Sequence, residues 1–499
     1  MEARQDEFLR AHPPLDSKIN LFEHQRQGYN FSLDHLFKSP VRVPFGRGVA
    51  LLMEQGCGKT LTAAAAVGAL FRSGRATRII VLAPKTVTPV WRDELMHVQT
   101  DRGPVRIFDA VGSSSFREKT FAMAAKPENG VYPPTAVLIN YDSVWRKCGD
   151  KIPALLFNPD IAILDEGHKI KDHTAAVSKF SKILGEKTPY RMLLTGTAIT
   201  NTPMDVFSEY RFVDPSLFGT NFYVFRNRYF ENIGYVYPKY VLKESMREEF
   251  TQKIMSVSFR VTKAECLDLP EKTDEIRDVV LEPDALKLYQ QLVKESYSDL
   301  VAGGISANNV LTRMLRLSQL TGGFLKGDEA ECTQSVSTAK LDALRDILLE
   351  AQASAQKVVV IARFTAEINA IRKLCEEMKL GYSTIAGDTK DRAAMVKAFQ
   401  EDPNTTVFVG QIVACCTGIT LHAAHLMVFY SMDYSMANFE QCRDRIHRIG
   451  MDTTQPCHYI YLCAKGTVDK KVLASVREKR DLAKSLVDDA RNGINPYLD

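Results

Sequence analysis

Short apolar runs and longer amphipathic stretches alternate along much of this chain. From Gly48 to Thr202 the apolar runs fall at Val49–Met53, Ile79–Ala83, Ala136–Asn140, Ile161–Asp165 and Arg191–Thr195. Each is followed by a turn or by a stretch with helical periodicity. Such runs predict buried strands, and their alternation with helices predicts a parallel sheet covered on both faces. The pattern returns from about Ser337 to Gly466, with strands expected at Lys357–Ala362, Tyr382–Ile385, Thr406–Gly410, Leu426–Tyr430 and His458–Leu462. Helical stretches such as Lys340–Gln352 and Ala366–Met378 lie between them. Between the two stretches the pattern breaks. Residues 205–336 hold aromatic-rich helical text (YRFVDPSLFGTNFYVFRNRYF), one strand at Thr273–Leu281, and a helical run from Pro283 to Leu320. The expected fold is α/β, with two parallel-sheet lobes in tandem and a mainly helical insertion. The expected boundaries are 1–206 for the first lobe, 207–335 for the insertion, 336–466 for the second lobe, and 467–499 for a terminal helix and tail.

Composition narrows the class without fixing it. The 499 residues are 45% hydrophobic and 25% charged, ordinary globular values that exclude a disordered, collagen-like or coiled-coil chain. No apolar run approaches the ~20 residues that span a bilayer. The N-terminus, MEARQDEFLRAHPP, lacks the apolar segment of a secretory signal, so a cytoplasmic location is expected. The ten cysteines form no Cys-x-x-Cys pair, and Cys415 and Cys416 are adjacent, so reduced, buried thiols are expected rather than a zinc module. A net charge of +4 decides nothing about nucleic acid, because a basic groove fits within a near-neutral total.

Three clusters carry candidate chemistry. Gly56-Cys57-Gly58-Lys59-Thr60 follows a predicted strand and opens a predicted helix, Leu61–Phe71. Small residues there let the backbone N–H groups converge on a phosphate at a helix N-terminus. Lys59 would meet the β- and γ-phosphates and Thr60 a Mg²⁺ ion. Only the short GxGKT form is present, since Met53 stands where the longer pattern has its first glycine; a plain glycine turn is the simpler alternative. Asp165-Glu166 ends the apolar run IAILD, at the strand tip where parallel sheets present ligand sites. Asp165 suits Mg²⁺ and Glu166 suits the attacking water; in isolation such a pair is as often a helix cap. Arg445 and Arg448 lie three apart in a string expected to be helical, Gln441 to Gly450, and would act as arginine fingers. The plainer alternative is a solvated basic helix.

Taken together these segments resemble the superfamily-II helicase-like ATPases, and within them the SWI/SNF-like DNA translocases, over about Leu21 to Leu486. LFEHQRQG resembles the adenine-recognising Q motif, with Gln25 as reader. VLAPKTVTPVWRDEL resembles motif Ia, VLINYDSV the strand motif after it, DEGHKIKD the DEAH-like box, and LLTGTAITNTP motif III. STAKLDAL, VVVIARFT, AGDTKDRAAMVKAF and QCRDRIHRIG resemble the second-lobe motifs in order. One departure stands out. Where the family usually has paired glycines in motif V, this chain has Ala414-Cys415-Cys416-Thr417-Gly418, which puts the close backbone approach there in question.

The resemblance implies two RecA-like lobes that bind ATP and Mg²⁺ between them. It implies nucleotide contacts from Gln25, Gly56, Cys57, Gly58, Lys59 and Thr60, metal binding by Thr60 and Asp165, and catalytic roles for Glu166, Gln441, Arg445 and Arg448. Thr195, Gly196, Thr197 and Gly418 would couple ATP state to movement. Lys85, Asn140, Arg363 and Thr389 are candidate nucleic-acid backbone contacts. The implied activity is an ATP-dependent translocase on duplex or branched DNA, working as a monomer in the cytoplasm or on the nucleoid. Its jobs would be remodelling of forks and junctions or displacement of bound protein. Two alternatives remain: a strand-separating DNA or RNA helicase, and a catalytically weak nucleic-acid-binding scaffold.

Overall fold

A computed structural model describes residues 2–37, 48–128, 130–196, 199, 202–234, 238–266, 270–301, 307–326, 333–387, 389, 391–416, 418–448 and 451–484. The chain divides into two compact units, the first built on residues up to 267 and the second on 268–479.

The first unit contains β1 (Gly48–Met53), β2 (Arg78–Leu82), β3 (Arg106–Asp109), β4 (Thr135–Ile139), β5 (Ile161–Asp165), β6 (Tyr190–Leu194), a small antiparallel hairpin of β7 (Phe230–Asn232) and β8 (Tyr240–Leu242), and β9 (Ser258–Val261). All but the hairpin join one parallel sheet in the order β3-β4-β2-β5-β6-β1-β9. Strands β1, β4, β5 and β6 are buried at every position, the expected outcome for a sheet covered on both faces. The five strands expected from the apolar runs are present, each within a residue of its reading. β3 and β9 were not expected. β3 is a four-residue edge strand, and β9 carries Ser258 and Arg260 in its buried text, so neither presents an apolar run.

The aromatic text after β6 builds a local core. Phe218, Phe225, Tyr229 and Phe250 meet with ring centroids 5.3–6.4 Å apart, and Phe222 stacks on His173 at 3.7 Å. Residues 207–335, expected as one insertion, are shared out: β9 extends the first sheet, and the next strand belongs to the second.

The second unit contains β10 (Lys272–Val279), a hairpin of β11 (Phe324–Lys326) and β12 (Thr333–Ser335), then β13 (Val358–Ala362), β14 (Gly381–Ile385), β15 (Thr405–Gln411), β16 (Leu426–Phe429) and β17 (Cys457–Ala464). Its sheet is parallel, in the order β10-β17-β16-β13-β15-β14. A buried ion pair, Lys340 with Asp469 at 2.7 Å, ties the helix Ala339–Ala353 to the start of the helix Val468–Lys484. Thr321 Oγ1 donates to Asp469 Oδ1 (2.8 Å), and Lys340 Nζ donates to the Tyr430 carbonyl (3.0 Å). Every charge in this cluster is thereby matched.

A second buried acid is less well matched. Glu367 caps the helix Thr365–Glu377, its Oε2 accepting from the Arg363 and Phe364 N–H groups at 3.1 and 3.0 Å and from the Ser431 hydroxyl. Its Oε1 has no hydrogen-bond partner among the described residues. A Cβ on Gly322 would collide with that oxygen, so glycine is required there. Burial pushes the Glu367 carboxyl up to about 7, against about 4.3 in an unfolded chain. The folded state thus holds a proton that the unfolded state has released. Stability from this group is complete below the unfolded value and is lost as the pH rises to about 7. Thermal melts across pH 5–9 should show wild type losing stability against Glu367→Gln between pH 5 and 7, with a constant difference above.

Candidate active site

The phosphate loop forms because β1 ends at Met53 and the next helix, Lys59–Arg72, starts on a left-handed glycine. Gly56 and Gly58 have φ of +96° and +77°, conformations that L side chains rarely adopt. A Cβ on Gly58 would strike the Gln25 amide. Gln25 is itself part of the loop's support: its Oε1 accepts from the Phe22 N–H at 2.9 Å and its Nε2 donates to the Cys57 carbonyl at 3.5 Å. His24 Nε2 lies 2.9 Å from that same carbonyl. The helix N-terminus therefore opens on a turn whose N–H groups and dipole favour an anion.

From the far side, the β9 segment braces the loop. Arg260 Nη1 donates to the Leu52 and Gly196 carbonyls (3.2 and 3.0 Å), and its Nη2 pairs with Glu54 at 3.5 Å. The Lys263 N–H donates to Glu54 Oε2 at 3.0 Å. Cys266 Sγ lies 3.4 Å from Cys57 Sγ, both as thiols.

The acidic pair sits where β5 ends, one strand removed from β1. Glu166 has φ +56°, a left-handed conformation for a residue with a side chain, and its N–H donates to Asp165 Oδ1 at 2.9 Å. Strain of this kind persists where the surroundings fix it, and it clusters at functional sites. Glu166 Oε1 lies 3.4 Å from Lys59 Nζ, and its Oε2 lies 3.4 Å from His168 Nδ1. The structure thus brings Lys59, Asp165 and Glu166 together. Burial pushes the Asp165 carboxyl up to about 6, opposed by the Lys59 ammonium and reinforced by the Glu166 charge. Burial also pushes His168 down to about 4, so its ring is neutral at pH 7.

Two further groups hold Asp165, and no sequence motif singled them out. The Trp91 indole Nε1 donates to Asp165 Oδ2 at 2.8 Å, and the Tyr141 hydroxyl donates to the Asp165 carbonyl at 2.7 Å. The available signal was physical: a buried Trp or Tyr generally needs a partner for its polar tip.

Among the described residues there is no cluster of three or more His, Cys, Asp or Glu side chains able to hold a metal ion. Mg²⁺ is usually bound through one or two carboxylates and substrate phosphates rather than by an all-protein cage. Thr60 and Asp165 are hard oxygen donors of the right type.

The remaining first-unit candidates sit nearby in the chain. Thr195 is buried and its N–H bonds the Leu51 carbonyl at 3.1 Å; Gly196 is held by Arg260; Thr197 lies outside the described residues. Lys85 is exposed, three residues before the start of the Trp91 helix, and Asn140 follows β4 directly before Tyr141.

In the second unit the arginine string differs from expectation. The helix Met436–Arg443 ends before it, because Asp444 closes the last turn, so Arg445 and Arg448 lie in turns. Arg445 is buried and its guanidinium is spent on three carbonyls: Nε on Gln441 (2.8 Å), Nη1 on Ile419 (2.9 Å) and Nη2 on Cys416 (2.8 Å). Arg448 is half-buried and makes one long contact, 3.4 Å to the Ile419 carbonyl, among the described residues. Gln441, Arg445, Arg448 and Gly418 are thus drawn together around one loop.

Cys415 and Cys416 create no backbone conflict there. Cys415 closes a short helical turn and Cys416 has φ −65°, whereas the positive φ (+73°) falls on Gly418. Arg363 is half-buried beside Phe364, and Thr389 Oγ1 accepts from the Ala386 N–H at 2.9 Å.

A phosphate loop, a strained Asp-Glu pair and two parallel α/β units define a P-loop nucleotide hydrolase with a second helicase-like unit. Residues 24–322 match the SNF2-related domain and residues 339–450 match the helicase conserved C-terminal domain, so the chain belongs to the SNF2-related family. A DNA repair and recombination protein RAD54-like from Gallus gallus is 24% identical over 96% of this chain and 69% of its own length. A SWI/SNF-related regulator of chromatin subfamily A containing DEAD/H box 1 homolog from Caenorhabditis elegans is 23% identical over 89% of this chain, which spans 50% of that relative. The DNA annealing helicase and endonuclease ZRANB3 of Mus musculus is 26% identical over 89% of this chain and 40% of its own length. The Sulfolobus solfataricus SWI2/SNF2 ATPase core in complex with dsDNA aligns over 95% of this chain and 94% of that one, at 21% identity and a TM-score of 0.44. No helix of the described residues is long and apolar enough to cross a membrane.

Proposed function

We propose that this chain is a DNA-dependent ATPase that moves on double-stranded or branched DNA, remodelling forks and junctions or displacing bound protein. The observation that carries the nucleotide chemistry is the 3.4 Å approach of Lys59 to Glu166 beside Asp165, at the mouth of a two-glycine phosphate loop. Lys59 is the cation for the β- and γ-phosphates. Glu166 orients and deprotonates the attacking water, and until phosphate arrives its carboxylate and Lys59 hold each other. When bound, Mg²⁺ through Thr60 and Asp165 supplies charge neutralisation on the phosphates. Gln25 belongs to adenine recognition as well as to loop support. Gln441 and Arg448 belong to hydrolysis. The spent donors of Arg445 fit a residue that fixes the loop carrying Gly418.

Family membership supports the DNA substrate. The names of the RAD54-like and annealing-helicase relatives support repair-type junction work over the strand-separating alternative. The protein would act as a monomer, in the cytoplasm or on the nucleoid.

The experiment is the ATPase rate with no nucleic acid, single-stranded DNA, duplex DNA, a four-way junction and RNA at one fixed salt. Stimulation by duplex or junction DNA upholds the proposal, and stimulation confined to single strands or RNA overturns it. If Lys85, Asn140, Arg363 and Thr389 meet phosphates, affinity falls linearly with salt on log–log axes. Lys85→Ala should weaken binding to all sequences alike and reduce that slope by about 1. Filter-binding or anisotropy titrations at several salt concentrations measure it.

A further inference from the structure

Two of the segments assigned to nucleic-acid contact each send one buried ring to the same carboxylate-bearing residue. Trp91 lies on the helix Thr88–Met96, three residues after the helix start and six after exposed Lys85. It is fully buried, and its only polar atom, Nε1, is 2.8 Å from Asp165 Oδ2. Tyr141 directly follows Asn140, and its hydroxyl is 2.7 Å from the Asp165 carbonyl. With the Glu166 N–H on Oδ1, both oxygens of the Asp165 carboxylate are held by donors within the unit.

We infer that Trp91 and Tyr141 are positioning residues that orient Asp165 toward the metal-nucleotide and carry nucleic-acid engagement at Lys85 and Asn140 to that carboxylate. The physical ground is simple. A carboxylate turns freely about its terminal bond unless donors fix it, and hydrogen bonds to charged acceptors are short and strong. Groups that orient metal-binding carboxylates typically account for 10–100-fold in metal affinity or activity. A shift of the Trp91 helix on a DNA backbone would move its indole N–H relative to Oδ2, since the ring is packed too tightly to swing independently.

This inference rests on the nucleotide-site assignment above, and its test is separable from the DNA assay. The chain has two tryptophans, and the other, Trp145, is 36% exposed. Trp145→Phe therefore leaves Trp91 as the sole indole. In that background, a non-hydrolysable ATP analogue with Mg²⁺ should shift Trp91 emission well beyond the analogue alone, and Mn²⁺ in place of Mg²⁺ should quench it. Duplex DNA without nucleotide should also change the emission. Trp91→Phe keeps an aromatic ring but removes the donor together with part of the buried indole's volume; the Mg²⁺ concentration for half-maximal analogue binding should rise about tenfold, with metal-free analogue binding unchanged. Tyr141→Phe should lessen the duplex stimulation of ATPase. A packing role alone would lower the melting temperature of Trp91→Phe without moving the Mg²⁺ midpoint, and that result overturns the inference. So does Trp91 emission that ignores both metal and duplex. An ATPase that no DNA stimulates sinks the translocase reading, while the fluorescence and Mg²⁺ midpoints still decide the role of Trp91.

Discussion

Glu166→Gln is expected to lower the ATP turnover number by about 10²–10⁴-fold, the usual contribution of a positioned proton acceptor. The substitution keeps size and shape but removes the charge that faces Lys59 across 3.4 Å. Lys59 then has no competing carboxylate, so ATP affinity should hold or tighten. That combination separates loss of the chemical step from loss of the fold. Lys59→Ala should instead lose nucleotide binding, because the phosphates lose their cation. Equilibrium binding of a fluorescent ATP analogue, alongside steady-state kinetics, gives both readouts. Glu166→Gln with wild-type turnover would remove this residue from the reaction.

The second large effect distinguishes two arginines that the sequence presents as equals. Arg448→Ala should cost about 10³-fold or more in turnover, as removal of an arginine finger does, with little change in melting temperature. Arg445→Ala should act on stability first. It strips the donors from three carbonyls, of which those of Ile419 and Cys416 are buried, at about 1–3 kcal/mol for each buried acceptor left unsatisfied. Arg445→Lys should rescue little, since a single ammonium cannot reproduce the guanidinium fork. Differential scanning fluorimetry with ATPase assays on the three variants checks the assignment. Equal melting temperatures for Arg445→Ala and wild type would reverse the roles drawn here.

Those two arginines show where sequence stops speaking. The GxGKT string, the IAILD run and the Asp-Glu pair are local signals. Loop and strand follow from their own residues and form as read, with the acidic pair at the strand's end; the left-handed backbone of Glu166 was not part of that reading. Eleven strands were legible, and six of them, β1, β4, β5, β6, β13 and β16, are buried at every position and so read as continuous apolar text. β3 and β9 were not, because an edge strand and a strand bearing a buried arginine break that text. Whether a guanidinium is spent or available depends on carbonyls contributed by a loop some 26–29 residues earlier in the chain. Helix periodicity carries no such information, and it also placed Arg445 on a helix that ends at Arg443. Trp91 and Tyr141 escaped for the same reason, since Trp91 lies on a helix and Tyr141 just after β4, while their partner Asp165 ends β5.

The placement of β9 and β10 bears on the order in which the protein is made. β9, at Ser258–Val261, completes the first sheet by pairing with β1, so every strand of that sheet has been synthesised by residue 261. β10 is the first strand of the second sheet, yet its eight-residue ladder is with the last, β17, at Cys457–Ala464. A pairing so distant in sequence closes slowly, and it cannot begin until the last strand leaves the ribosome. During translation the phosphate loop can therefore be housed in a finished sheet while β10 waits with both edges unpaired, and the nascent chain is most exposed to aggregation in the interval between those two strands.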